Sequence, residues 1–90
     1  LAAFDLLSEP EQTSCAAYAT AAENFARGRE AGVSLQDHLT AAAVACRSHP
    51  GSTSACKGFP KLAAEVHAGE WTAAEAANKV RADCRHYIWP

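Results

Sequence analysis

The chain has 90 residues, which is enough for one small domain. It carries 8 Lys and Arg against 10 Asp and Glu, a net charge of −2, which argues against a nucleic-acid-binding protein and is too mild for a disordered acidic tail. Alanine supplies 22 of the 44 apolar residues, so only 18 bulky apolar side chains are available to build a core.

The first helix is predicted over residues 9–31. Ser8 stands three residues before Glu11, which is the spacing of a capping box, and Pro10 falls in the first turn, where its missing N–H is tolerated. Gly32 marks the end. Residues 1–7 precede the cap as an apolar extension. The helix carries one apolar stripe, formed by Cys15, Tyr18, Ala19, Ala22, Phe25 and Ala26.

The second helix is predicted over 35–48, because Ser34 and Asp37 repeat the capping signal and His49 before Pro50 stops the helix. Its inner face consists of Leu35, Leu39, Ala42, Ala43 and Cys46.

Residues 49–59 are predicted to form a loop, and the third helix covers 60–68 and stops at Gly69, with an earlier start at Ser54 left open.

The fourth helix is predicted over 73–88. Thr72 and Glu75 form the clearest capping box, and Trp71 precedes it as a hydrophobic staple. Strand patterns are nearly absent. The sequence therefore predicts an all-α protein, a single small domain of about four helices in an up-down bundle.

The four cysteines fall at one end of that bundle and predict two disulfide bonds in an oxidising compartment. Two connectivities remain open. Cys15–Cys84 with Cys46–Cys56 is slightly favoured, because Gly58 and Pro60 leave Cys56 in the loop beside Cys46. The alternative is Cys15–Cys46 with Cys56–Cys84. The intervals between the cysteines lack the tight pairs of a zinc site.

Three patterns carry a resemblance: Cys15-x-x-Tyr18, Arg29-x-x-Gly32-x-Ser34, and a helix that closes on Cys84 after Thr72-Ala-Ala-Glu75. Together they resemble the small, secreted, disulfide-bonded helical proteins of the proteobacterial periplasm. That group includes proteins similar to periplasmic immunity proteins of contact-dependent secretion systems and to acid-stress chaperones. The resemblance implies a scaffold and assigns no binding residue.

Catalytic and metal-binding patterns are weak. His38 and His67 are expected to lie at the end of the bundle opposite the cysteines, but no two histidines have the spacing of a metal-binding pair on one helix. Ser52 and its neighbours near His49 are interpreted as loop and cap residues. We therefore predict no enzyme activity, no cofactor and no metal site.

The chain ends suggest the function. Aromatic side chains are enriched at interface hot spots, and the predicted partner contacts are Phe4, Leu7, Tyr87 and Trp89 at the ends and Phe59 at a loop tip. The alternative is that both ends fold back and complete the thin core. The chain starts at Leu1, which fits a mature protein after signal-peptide removal or a chain that has simply been trimmed, and no stretch is apolar enough to span a membrane. We expect a secreted or periplasmic module that binds another protein or a second copy of itself, as an immunity or inhibitor protein. The alternatives are a carrier of haem, metal or a lipid-like ligand, and an acid-stress chaperone.

Overall fold

The computed structural model describes residues 8–88, and among these residues it contains helices and no strand. A π-helical turn covers Ser54–Gly58. The α-helices are α1 Glu9–Glu30, α2 Leu35–Ser48, α3 Phe59–Gly69, α4 Ala73–Ala82 and α5 Cys84–Ile88. The predicted all-α domain with four main helices is confirmed.

The predicted caps account for where α1, α2 and α4 begin. The Ser8 hydroxyl accepts a hydrogen bond from the Glu11 N–H at 3.4 Å, and the Glu11 carboxylate accepts one from the Ser8 N–H at 3.2 Å. Thr72 and Glu75 make the same reciprocal pair at 3.2 and 3.0 Å. Ser34 caps α2 through the N–H of Asp37. Each cap satisfies backbone donors that a helix cannot satisfy internally.

The structure differs from the sequence prediction in the last helix. The segment predicted as one helix over 73–88 is interrupted at Asp83, whose backbone leaves the helical region with φ −138° and ψ 56°. The chain then restarts as α5, which brings Cys84 to Cys15 and buries the ring of Tyr87. The burial of these two side chains decides the local conformation here, against the helical preference of the sequence.

The connection before α3 also differs. Residues 54–58, predicted as part of a loop with an earlier helix start left open, form the π-helical turn, closed by the N–H of Phe59 donating to the Ser54 carbonyl. At its other end α3 continues through Gly69, and Glu70 takes the left-handed conformation instead, with φ 51°. The indole of Trp71 packs so closely on Gly69 that a Cβ there would overlap it.

The core lies where α1 meets α3, α4 and α5, and the contact between α1 and α4 is the most extensive. Alanines dominate that contact. We call Ala19, Ala22, Ala26, Ala76 and Ala77 the alanine seam. Bulkier buried side chains fill the space towards α3 and α5: Tyr18, Leu62, Val66, Val80 and Tyr87. Because alanine has a short side chain, two alanine-rich helices can approach closely.

The two disulfides take the favoured connectivity. Cys15–Cys84 joins α1 to α5 inside the core, and Cys46–Cys56 joins the end of α2 to the π-helical turn. The described residues leave no cysteine free. In the chain-entropy account each bond stabilises the fold by restricting the unfolded chain, which matters for a core this small.

Helix α2 is attached less firmly than the other long helices. It packs against α3 and the π-helical turn and has little contact with α1. Of the inner face predicted for it, only Ala42 is buried; Leu35, Leu39 and Cys46 are half-buried and Ala43 is exposed. The molecule is correspondingly flat, with principal extents of 35, 30 and 15 Å.

Candidate functional site

The predicted partner contacts fall into two groups. Phe4, Leu7 and Trp89 lie outside the described residues. Phe59 is half-buried, and its ring lies 4.8 Å from that of Tyr18 between centroids. Tyr87 is buried in the core, and desolvation, followed by the charges of Glu65 and Asp83, raises its pKa. Both described rings therefore support packing, and their contact with a partner stays a prediction.

An apolar groove runs beside α2, on the side that faces the π-helical turn and the start of α3. It is open to solvent and has a volume of about 420 Å³. We call it the α2 groove. Its lining combines small apolar side chains, the Cys46–Cys56 disulfide and a single charged residue: Leu39, Ala42, Ala43, Cys46, Arg47, Ala55, Cys56 and Pro60. Two of the five lining residues from α2 are alanines, whose short side chains leave space, and the disulfide fixes the far end of the groove.

The apolar surface continues along the exposed side of α2. Val44 keeps 49% of its surface exposed, and it is the one large apolar side chain classed as exposed among residues 8–88. It neighbours Ala43 of the groove lining.

The stretch of chain that contributes the groove lining carries charges of one sign. Residues 38–64 contain no Asp or Glu, although the chain as a whole has a net charge of −2. The basic residues in this stretch are Arg47, Lys57 and Lys61, and all three are exposed. Arg47 lines the groove, and each of the two lysines directly follows a lining residue. The groove is therefore an apolar depression with a cationic rim inside a mildly acidic protein, which attracts acidic partners at long range.

Two histidines meet at the opposite end of α2; the sequence predicted that they share this end of the bundle and did not predict their contact. The Nδ1 atom of His38 lies 2.7 Å from the Nε2 atom of His67, which lies near the end of α3. Phe25 contacts the His38 ring edge-on, and the Nε2–Cε1 edge of the imidazole packs on Gly28 so tightly that a Cβ there would overlap it. Burial, and then the charge of His67, lower the pKa of His38, while Asp37 acts in the opposite direction.

The geometry of this pair suits a hydrogen bond in which the two imidazole nitrogens share one proton. The ring centroids are 4.9 Å apart and the two nitrogens 2.7 Å apart, so each nitrogen points almost directly at the other ring. A metal ion held in line between them would need the nitrogens about 4 Å apart, given zinc–imidazole bonds of about 2.0–2.1 Å. Among residues 8–88, no three His, Cys, Asp or Glu side chains converge as metal ligands would.

The serine considered as a nucleophile has a local structural role. The Ser52 hydroxyl accepts a hydrogen bond from the N–H of Ala55 at 3.1 Å, and the N–H of Cys56 donates to the Ser52 carbonyl at 3.1 Å. Both bonds support the start of the π-helical turn, as its interpretation as a cap residue predicts.

Comparison of the chain with protein-family models, with curated proteins and with solved structures finds no match. The resemblance to small periplasmic helical proteins therefore stays a prediction. Within residues 8–88, no helix combines the length and the apolar character that crossing a bilayer requires.

The sequence pattern did not predict the α2 groove. It placed Leu39, Ala42, Ala43 and Cys46 on an inner face, and three of these four are not buried. One signal was readable: the absence of acidic residues over 38–64, combined with the run of small apolar residues over 41–45. A helix that is rich in alanine on every side has no strongly preferred face to bury.

Proposed function

We propose that this chain is an extracytoplasmic module that binds another protein and that the α2 groove receives an apolar segment of that partner. The specific role we favour is that of an inhibitor or immunity protein, which acts by occupying a partner's surface and performs no reaction itself. The observation that carries this proposal is the apolar groove with its cationic rim.

The shape of the groove supports a peptide segment as its occupant. It is an open trough between two helical elements, the arrangement in which an amphipathic helix of a partner packs its apolar face. Alanine and proline walls leave space for the larger side chains of a partner. A lipid carrier would instead be expected to enclose most of its ligand's surface.

The charges support a partner with acidic residues flanking its apolar segment. Arg47 at the groove, with Lys57 and Lys61 beside it, offers three cations with no acidic residue between them in sequence. Electrostatic attraction of this kind accelerates association and selects among partners. Three cations on a protein of net charge −2 could neutralise only a few phosphates, so these charges do not favour nucleic acid as the partner.

The disulfides support the compartment. Two bonds in a chain of 90 residues are typical of proteins in the bacterial periplasm or outside the cell. In such a compartment a stapled scaffold holds its binding surface in one conformation, which reduces the ordering cost of binding.

The test uses one alanine substitution in the groove and its matched control. Ala43→Glu places a carboxylate in the groove lining, whereas Ala41→Glu adds the same charge at an exposed position of the same helix that does not line the groove. Wild type and both variants are immobilised, and the proteins that they retain from the extracytoplasmic fraction of the source organism are quantified by mass spectrometry.

The expected result is one protein retained by wild type and by Ala41→Glu and depleted at least about tenfold by Ala43→Glu, since the new carboxylate would lose its water against the partner's apolar segment and would repel the partner's acidic flanks. The purified partner must then form a stoichiometric complex. Its affinity is expected to fall with Arg47→Glu and to change little with Arg81→Glu, an exposed control on α4. Equal retention by the two glutamate variants overturns the proposal. So does a fatty acid that copurifies in the groove, or a self-associated dimer as the sole species.

A further inference from the structure

The two ends of α2 are held in different ways. At its C-terminal end the Cys46–Cys56 disulfide attaches it covalently to the π-helical turn. At its N-terminal end His38 makes the contacts that reach other helices: Nδ1 to His67 of α3, and the ring against Phe25 and Gly28 of α1. Between these two ends only Ala42 is buried. The attachment of the N-terminal half of α2 therefore rests on half-buried side chains, and His38 is the one among them that can titrate.

That attachment requires an unprotonated nitrogen. In the neutral pair one imidazole donates an N–H and the other accepts with its lone pair. A first proton leaves one acceptor, so the hydrogen bond survives. A second proton converts both nitrogens into donors, and two cations then face each other across 2.7 Å. The contact cannot persist in that state.

Few groups nearby offset this repulsion. On α2, Asp37 favours the protonated form of His38; from α3 the charge of His67 opposes it; and the residues of α1 that contact the ring, Phe25 and Gly28, carry no charge. Because the pKa of His38 is lowered below its usual 6.5, the neutral contact is fully stabilising above that pH and is lost as the pH falls below it.

We propose that the His38–His67 pair is an acid-sensitive latch that holds the N-terminal half of α2 in place and releases it when both imidazoles are protonated. The released helix pivots about the Cys46–Cys56 disulfide, which does not respond to pH. The latch itself follows from the contacts of His38, and only its consequence for binding rests on the proposed function.

The consequence for the groove follows from sequence position. Leu39, the groove residue farthest from the disulfide along α2, directly follows His38. When His38 leaves His67, Leu39 moves with it, and the groove loses one wall. The apparent affinity of a site falls in proportion to the fraction of molecules in which the site is formed. A partner that is bound at neutral pH is therefore released in acid.

The test measures α2 in the isolated protein, without any partner. Hydrogen–deuterium exchange of the amides of residues 36–43 is followed at pH 7.5 and pH 5, corrected for intrinsic rates, with α4 as the internal reference. The variant His67→Gln replaces the titrating acceptor with an amide carbonyl, which accepts a hydrogen bond from His38 at either pH. His49→Gln makes the same substitution at an exposed histidine.

In wild type and in His49→Gln, acidification is expected to raise exchange over 36–43 at least about fivefold relative to α4, in line with a typical coupling between sites. His67→Gln is expected to show equal protection at both pH values. Wild-type protection that does not change with pH, or a His67→Gln variant that still responds, overturns the latch.

A second measurement does not depend on a variant that folds. In the wild-type protein the NMR signals of the amides of residues 36–43 are expected to change over the same pH range as those of the His38 imidazole, and amide signals that stay unchanged while His38 titrates overturn the latch. Neither experiment involves the groove ligand. If α2 shows the expected pH response but Ala43→Glu still retains the partner, the proposed function alone is refuted. If Ala43→Glu loses the partner but α2 shows no pH response, the latch alone is refuted.

Discussion

Replacing Gly58 by alanine tests the packing of the π-helical turn, because backbone preference and side-chain contact predict opposite effects. Gly58 has φ −65° and ψ −51°, an ordinary right-handed helical conformation. Helix propensity alone would make Gly58→Ala stabilising by up to about 1 kcal/mol. However, the new Cβ would overlap the phenol of Tyr18, including its ring carbons.

The size of the penalty depends on whether Tyr18 can move. Its side chain is 1% exposed and packs against Phe59, so the ring has no solvent to move into. Forcing an extra methyl group into a packed core costs about 1–3 kcal/mol, and the severity of this overlap places Gly58→Ala at the upper end. After the propensity gain is subtracted, we expect a net loss of about 2 kcal/mol, or roughly 8–16 °C in Tm for a domain of this size.

The assay is urea unfolding of the oxidised protein followed by circular dichroism. The control is Gly51→Ala, since a Cβ at Gly51 meets no atom within 4 Å; it should leave the midpoint nearly unchanged. In a Tyr18→Ala background the same change at Gly58 should cost nothing, because the overlapping ring is gone. A Gly58→Ala midpoint equal to or above that of wild type would refute the reasoning.

Two further predictions concern a cap and a disulfide. Thr72→Ala removes the hydroxyl acceptor of a capping box, so the free energy of unfolding should fall by about 1 kcal/mol. The control Thr20→Ala, at an exposed position inside α1, should cause no such loss. Equal unfolding midpoints for the two variants would contradict the role of the cap. Replacing both Cys46 and Cys56 by alanine removes a disulfide between residues 10 positions apart, and replacing both Cys15 and Cys84 removes one between residues 69 positions apart. Chain entropy predicts losses of about 3 and about 4 kcal/mol respectively. A larger loss for the shorter link, measured by denaturation without reductant, would reverse that ranking.

Local signals account for the parts of the fold that the sequence predicted. The capping residues Ser8, Ser34 and Thr72 fix where three helices begin, because each satisfies backbone donors within three residues of itself. The placement of all four cysteines at one end of the bundle followed from those helix boundaries, and it brought Cys15 near Cys84. The placement of His38 and His67 at the opposite end followed from the same boundaries, and their contact depends on how α2 packs on α3.

Non-local contacts account for the rest. The break at Asp83 serves the burial of Cys84 and Tyr87, which depends on where α1 lies. The π-helical turn lets Gly58 meet Tyr18, a contact between residues 40 positions apart in the chain. The groove arises from what α2 fails to bury, and a helix with alanine on several faces leaves that choice to its neighbours.

The alanine seam also constrains how this protein can change over evolutionary time. An alanine side chain has no rotamers to lose on folding, so the seam forms without the side-chain entropy cost that leucine or methionine would add. Every residue except glycine is larger than alanine. Drift at Ala19, Ala22 or Ala26, each with no exposed surface, can therefore proceed almost only by pushing α1 and α4 apart. A larger residue on one helix could be compensated only by replacing the facing alanine with glycine, and glycine weakens a helix by about 1 kcal/mol. We expect this half of the molecule to accept few substitutions, while α2 remains free to diversify.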